Sequence, residues 1–562
     1  MVKLRRITIN KLRDFLFYIL FFLAVLLNKI LKSPPQIQKL PLNLNSFKLE
    51  TGDVSLGSFF WNFIEHPAEK GSFSIKEYDE KNDRVKVVNL QTFSWLFVLS
   101  SVNNKKARDF TKAFMAKAIF LGKRYSRKVW ELETAGSRLS AICLNMRFLD
   151  LSETLIDRRM MISFIRFHVI YLTLCNAFFP RGLISLKVNS SIFFASLILG
   201  ETLAKRHRIL RWIIKDSICL LGKDGEIKSR NSAELLEVLF LVNRVIRFSS
   251  TAELSRGKLD RHLKNVQSKI APVLRGLRLG SGQLFRAYGS GGETTQWNLD
   301  RELFDAKLSD FSVRKRSMGF HRITAGRLRL IFDGKSGNTQ SQLKNFSCSA
   351  FSFELTSGQR TIFQNNVPFN FFLGHSDSIS KISHEYNSIQ VSLADTLSEI
   401  SRWSVTNIGV KDYRNHENYY LEGEKVISRD HLNLAHRRKL IIPMLGTGII
   451  GRDLISITSG KLEEYGPARV QFFLHPDVEV WKTKESNYFL LQMINKEVWN
   501  FETDKNNGFL ETYNYLDPID LQEKKAFSIV LERNITEENL PIDWRLSIQS
   551  HSNRITREKA NF

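Results

Sequence analysis

The hydrophobic pattern divides the chain into three stretches. The first is an apolar run of thirteen residues, Phe15 to Leu27, behind the basic Lys3, Arg5, Arg6, Lys11 and Arg13. A bilayer span needs roughly 20 apolar residues, and no small-residue cleavage site precedes Lys32-Ser33-Pro34-Pro35. Two readings of residues 1–33 stand side by side: an uncleaved signal-like or membrane-surface helix, and an ordinary packed helix. No later segment reads as transmembrane, although Phe193 to Gly200 is strongly apolar.

From about residue 90 to 280 the apolar positions recur at intervals of three and four, as in Leu235, Val238, Leu239, Val242 and Ile246, which form one stripe along a helix. Arg147 to Phe167, Leu183 to Ala204 and Lys205 to Leu221 read the same way. They are separated at Pro180-Arg181-Gly182 and at Gly222-Lys223-Asp224-Gly225. Beyond Gly289-Ser290-Gly291-Gly292 the period falls to two. Phe351, Phe353 and Leu355 alternate with Ser352, Glu354 and Thr356, and Val470, Phe472 and Leu474 with Gln471, Phe473 and His475. Gly334, Gly337, Gly358, Gly423, Gly446 and Gly448 are expected to punctuate these strands. With no long helical pattern between them, an antiparallel β-sandwich is predicted rather than a parallel sheet. The expected organisation is an N-terminal segment 1–33, a helical domain 34–300 and a β-sandwich 301–562.

The length of 562 residues and 43% hydrophobic content suit several buried cores and exclude a disordered chain. Four cysteines lie far apart without a CxxC pair, which argues against a disulfide scaffold or a cysteine zinc site. The net charge of +25 is uneven: residues 1–280 carry 47 Lys and Arg against 23 Asp and Glu, leaving a net +1 for the remainder. A field of one sign concentrates polyanions without recognising their chemistry. Its densest part runs from Lys105 to Lys128, with nine cationic residues against Asp109 alone, and includes Lys123, Arg124, Arg127 and Lys128. Such a run is commonly a solvated helix face, and the interleaved Phe110, Phe114, Phe120, Tyr125 and Trp130 commonly its buried stripe. No nucleic-acid recognition motif accompanies the charge. The glycine-rich stretches form neither a dinucleotide nor a P-loop fingerprint, so no cofactor is expected.

The order of elements, with certain short motifs, resembles the heparinase II/III-like proteins. The motifs are Tyr288-Gly289-Ser290-Gly291-Gly292-Glu293; Gly319-Phe320-His321-Arg322 leading to Gly326-Arg327; Ala350-Phe351-Ser352-Phe353-Glu354-Leu355; His436-Arg437-Arg438; and Phe472-Phe473-Leu474-His475-Pro476-Asp477-Val478. Lys223-Asp224-Gly225-Glu226-Ile227-Lys228-Ser229-Arg230-Asn231 precedes them in family order. The resemblance implies an incomplete α/α toroid followed by a β-sandwich, and a polysaccharide lyase ancestry in bacteria. Such a lyase cleaves a uronic-acid-containing chain by β-elimination. A donor or cation neutralises the uronate carboxyl, a base removes the C5 proton and an acid protonates the leaving oxygen.

Carried across residue by residue, the resemblance places the carboxyl-binding asparagine at Asn189. The family tyrosine falls in Ser229-Arg230-Asn231-Ser232, where no tyrosine stands. Its metal-binding positions fall at Ser347, Asn365 and Asn387, neutral oxygen donors where zinc prefers imidazole or carboxylate, and the nearby His384 does not restore a ligand set. No metal is therefore expected. His321, His416, His436 and His475 sit in family-like strand segments, where hydrogen-bonded structural histidines are the ordinary outcome. His416 with Tyr419 is the pair assigned to proton transfer. Lys123, Arg124, Arg127, Lys128 and Arg230 are assigned to substrate binding. Two functions follow: a lyase acting on an acidic polysaccharide, and a catalytically lapsed relative that binds one. The expected setting is the bacterial cell envelope or periplasm, with the cytoplasm as the alternative and membrane-surface association through residues 1–33.

Overall fold

The computed structural model describes residues 2–30, 129–149, 158–251, 257–288, 290, 296–305, 313–335, 350–366, 386–393, 404–429, 431–483, 488–503, 508–516, 523–536 and 541–549, with scattered positions between 91 and 126. Lys123, Arg124, Arg127, Lys128, Ser347 and His384 lie outside the described residues. Contacts group the chain into two units, Met1–Gly225 with Glu237–Lys269, and Glu226–Leu236 with Ile270–Phe562.

The first unit is helical in its described residues. It comprises α1 (Val2–Ile30), α2 (Leu132–Leu144), α3 (Met146–Leu149), α4 (Arg158–Asn176), α5 (Leu183–Ile198), α6 (Leu203–Leu220), most of α7 (Ser232–Thr251) and the first part of α8 (Lys258–Gly276). Helix α5 explains the apolar run at Phe193. It is buried on nearly every side and packs against α2, α4 and α6, so a helix apolar all round is central rather than membrane-spanning. Gly136 permits the α2 approach, since a Cβ there would stand 3.2 Å from Val188 Cγ2. Thr202 caps α6 by accepting from the Lys205 backbone N–H at 3.4 Å. Arg138 is buried beneath Trp130 and donates from Nε to His168 Nε2 at 3.0 Å, while His168 Nδ1 reaches Phe164 O at 2.9 Å. Burial, then the Arg138 charge, holds the His168 pKa well below its ordinary value.

Among the described residues, the second unit contains α9 (Gln296–Asp305) and three antiparallel sheets. One is ordered β1-β2-β3-β4-β5: β1 (Arg316–Ser317), β2 (Phe320–Ala325), β3 (Leu328–Asp333), β4 (Phe353–Ser357) and β5 (Arg360–Phe363). Eight strands form another, ordered β12-β13-β14-β17-β10-β9-β8-β7. They are β7 (Ser404–Arg414), β8 (Asn418–Arg429), β9 (Leu432–Pro443), β10 (Gly448–Ser459), β12 (Glu479–Lys482), β13 (Tyr488–Gln492), β14 (Val498–Thr503) and β17 (Ile542–Ile548). The third sheet is ordered β15-β16-β11-β6: β6 (Ile389–Leu393), β11 (Tyr465–Phe473), β15 (Gly508–Leu516) and β16 (Glu523–Arg533). Phe353, Phe363, Phe472, Phe501 and Trp544 meet in one buried cluster that draws on all three sheets.

Strand β4 forms where the alternation places it and is buried on both faces, Glu354 and Thr356 included. One expectation needs correction: Gly423 does not end a strand. It lies inside β8, where the Phe351 ring occupies the space of a side chain, 2.7 Å from an ideal Cβ.

Candidate functional site

The helical spacing of α5 puts Ser185 and Asn189 on one face, beside Asp216 of α6. Asn189 Nδ2 donates to Asp216 Oδ2 at 2.6 Å and to Ser185 Oγ at 3.3 Å, and its Oδ1 accepts from Asn176 Nδ2 at 3.2 Å. Asp216, fully buried, also accepts from Ser185 Oγ at 2.9 Å and pairs with Arg181 at 2.9 Å. Asn189 is 2% exposed, and both ends of its amide are engaged. Arg181, half-exposed, is the cation of this cluster that reaches solvent.

Arg230 lies in the second unit, just ahead of α7, with a left-handed backbone (φ 60°). Its Nε donates to Met318 O at 2.6 Å and Nη1 to Lys335 O at 2.6 Å. It also bonds the Tyr288 hydroxyl and pairs with Asp333. Tyr288 in turn donates to Asp333 Oδ2 at 2.7 Å. The guanidinium lies 4.5 Å from the Tyr288 ring centre and 4.4 Å from that of Phe320. Burial works to lower the Arg230 pKa, but Asp333 and Tyr288 outweigh it and raise the pKa above its ordinary value. Tyr288 and Asp333 were missed as partners of Arg230, because they stand 58 and 103 positions away in the chain.

His321 of β2 borders this cluster. Its ring fills the space beside Gly334, and Nδ1 lies 3.5 Å from Asp412 Oδ1, which Arg316 also pairs. Burial, then Arg316, pushes the His321 pKa down to about 4 against the pull of Asp333, so the ring is neutral near pH 7.

His416 and Tyr419 occupy the β7–β8 hairpin. The turn is closed by Asn415, whose Oδ1 accepts from the Glu417 and Asn418 backbone N–H groups at 3.0 and 2.7 Å. His416 is exposed at the bend, and Tyr419 is half-buried against the sandwich core. One residue on, Tyr420 turns to the outer face and stacks on Tyr413, with ring centres 4.9 Å apart. The structure therefore holds His416 and Tyr419 on one hairpin of the second unit, whereas Asn189 belongs to the first.

Asn365 and Asn387 sit in a closed amide network. Asn365 Oδ1 accepts from Asn387 N at 3.0 Å and its Nδ2 donates to Arg286 O at 2.9 Å. Asn387 Nδ2 donates to Phe353 O at 2.8 Å, and its Oδ1 accepts from Phe473 N at 2.6 Å. Glu354 accepts the backbone N–H groups of Asn365 and Arg286 at 2.9 and 3.2 Å. Burial raises its pKa to about 7, opposed by Arg286 and these two N–H groups. Side chains committed in this way do not fit a metal, and among the described residues no three His, Cys, Asp or Glu are grouped to hold one. His436 is a core residue: its Nε2 contacts Asp453 Oδ1 at 2.7 Å, beside Arg438 at 2.6 Å from the same oxygen and Trp544 Nε1 at 3.0 Å from Oδ2. His475 is half-buried and its Nδ1 accepts from Asp477 N at 3.2 Å.

A helical unit followed by this antiparallel sandwich defines a class, the toroid-plus-sandwich architecture of heparinase III. Residues 312–545 match the family described as heparinase II/III-like, C-terminal, so the second unit carries that domain. Among solved structures, heparinase III superposes with a TM-score of 0.65 at 12% identity, covering 94% of this chain and 89% of that one. The heparan sulfate lyase HepC from Pedobacter heparinus gives a TM-score of 0.52 at 12% identity, over 83% of this chain and 77% of that one. A second heparinase III gives 0.56 at 11%, over 93% and 88%. No curated protein matches the sequence.

Proposed function

We propose that the protein is a polysaccharide lyase-like protein of the bacterial cell envelope, acting by β-elimination on an acidic, uronic-acid-containing polysaccharide. The observation that carries this reading is the heparinase III fold over 94% of the chain, joined to a basic N-terminal half suited to a polyanion. In this reaction a uronate carboxyl must be neutralised before its C5 proton becomes acidic enough to remove. Asn189 takes that task if its Nδ2 turns from Asp216 to the substrate, and Arg181 supplies a cation to the same cluster. His416 or Tyr419 exchanges the protons. Lys123, Arg124, Arg127, Lys128 and Arg230 are the cations assigned to the polymer, with Arg230 serving from a bonded position.

A second reading, a catalytically lapsed polysaccharide-binding protein, is supported by a specific observation: the Asn189 amide is satisfied within the fold, and Ser229-Arg230-Asn231-Ser232 offers no tyrosine. One experiment separates the two. The purified protein is incubated with sulfated and unsulfated uronic polymers while the ultraviolet absorbance of the unsaturated product and retention on the immobilised polymer are followed. Rising absorbance supports the lyase; retention without product supports the binding protein; neither result sinks both.

A further inference from the structure

The apolar start of the chain folds into two stripes of α1. Phe17, Leu20, Phe21 and Ala24 form one and are buried. Phe21 stands edge-on to Trp130, Phe167 and Tyr171, with ring centres 5.2, 5.3 and 6.0 Å away. Asn28 Nδ2 donates to Ser163 Oγ at 3.3 Å, so this stripe is fixed to α4 inside the helical unit. The second stripe, Phe15, Ile19, Phe22, Leu26 and Ile30, has the same helical spacing and faces solvent, from 46% exposed at Ile19 to 66% at Ile30. A run of large apolar side chains on one open helix face is a contact surface.

We propose that this open stripe docks α1 flat on a bilayer surface rich in anionic lipid. Charge selects the occupant. Residues 1–33 hold seven Lys and Arg against Asp14 alone, and five of the seven lie on α1 ahead of the apolar run. A basic stretch of sequence leading into exposed aromatic and aliphatic groups matches an anionic headgroup layer over hydrocarbon. The helix lies on the surface rather than crossing it, because no described helix is long and apolar enough to span a membrane and a crossing would strip Phe21 from Trp130. The proposal is independent of the lyase reading.

The test mixes the full chain with vesicles of phosphatidylcholine, alone or with phosphatidylglycerol, at low and high salt. The protein is expected to sediment with the anionic vesicles, less so at high salt. The variant Phe15→Ser/Phe22→Ser/Leu26→Ser is expected to bind at least about tenfold more weakly with an unchanged melting temperature. Hydrogen exchange on the parent protein needs no variant: amides of residues 15–30 should slow when anionic vesicles are added. No binding by the parent, or no change in that exchange, overturns the proposal. So does a parent dimer that the triple variant breaks apart, since the stripe would then belong to a second copy.

Discussion

Asn189 Nδ2 donates a hydrogen bond to Asp216 Oδ2 across 2.6 Å of buried interior, so a change at either residue leaves the other short of a partner. Asn189→Ala leaves a fully buried carboxylate with one donor fewer, an imbalance worth about 1–3 kcal/mol. Denaturant unfolding should record that loss. If the loss of stability is absent, the amide is free for substrate. If it is present and turnover on a uronic polymer also falls, Asn189 serves both purposes.

The pH dependence of stability should have two opposed arms. Glu354 has a folded pKa near 7, above its ordinary 4.5. The folded state therefore holds that proton more tightly, and stability falls as pH rises through this window. His436 is pushed the other way, from 6.5 to about 4, by burial and by Lys425 and Arg438 against the pull of Asp453. Its neutral ring stabilises above pH 6.5, and that contribution is lost as pH falls toward 4. Glu354→Gln should abolish the first arm. Between about pH 5 and about pH 8 its unfolding free energy should change on the order of 2–4 kcal/mol less unfavourably than the parent's. Urea titrations at both pH values measure the difference, and identical slopes would refute the assignment.

Gly451 lies in β10 directly opposite Trp544 of β17, and a Cβ added there would overlap the indole. Gly451→Ala should destabilise the sandwich by roughly 1–3 kcal/mol, the usual cost of overpacking a filled core. Thermal unfolding checks it. Gly409, where an added Cβ meets nothing within 4 Å, provides the control, and Gly409→Ala should leave the melting temperature nearly unchanged.

These residues show what the sequence could and could not disclose. The change from a three-to-four period to a period of two marked the helical and strand regions, because each period is set by the local backbone. Glycine carried less information. Gly446 and Gly358 have positive φ and do mark turns, whereas Gly423 answers to Phe351, 72 positions away in the chain. Burial on both faces of β4 was hidden for the same reason: alternation reports two faces without saying what covers each. Motif position singled out Asn189 and Arg230 but not the Asp216, Tyr288 and Asp333 that hold them. Side-chain partners distant in sequence leave no local pattern to read.

Proton transfer by His416 or Tyr419 is the sharpest test of the lyase reading. His416 is exposed at its hairpin and Tyr419 rests on the core through its ring, so removing the imidazole or the phenolic oxygen should hardly disturb folding. His416→Ala and Tyr419→Phe should each lower turnover by about 10² or more if the group carries a proton in the rate-limiting step, with melting temperatures near the parent's. His321 supplies the contrast. Neutral near pH 7 and closer to Tyr288, Asp333 and Arg230 in its surroundings, it is the imidazole to which the role passes if both hairpin variants retain full activity. His321→Gln should then abolish product formation while the protein remains folded and still binds the polymer. If all three variants turn over like the parent, the base lies outside these residues. A parent that binds uronic polymers yet releases no unsaturated product would instead establish the binding-only protein.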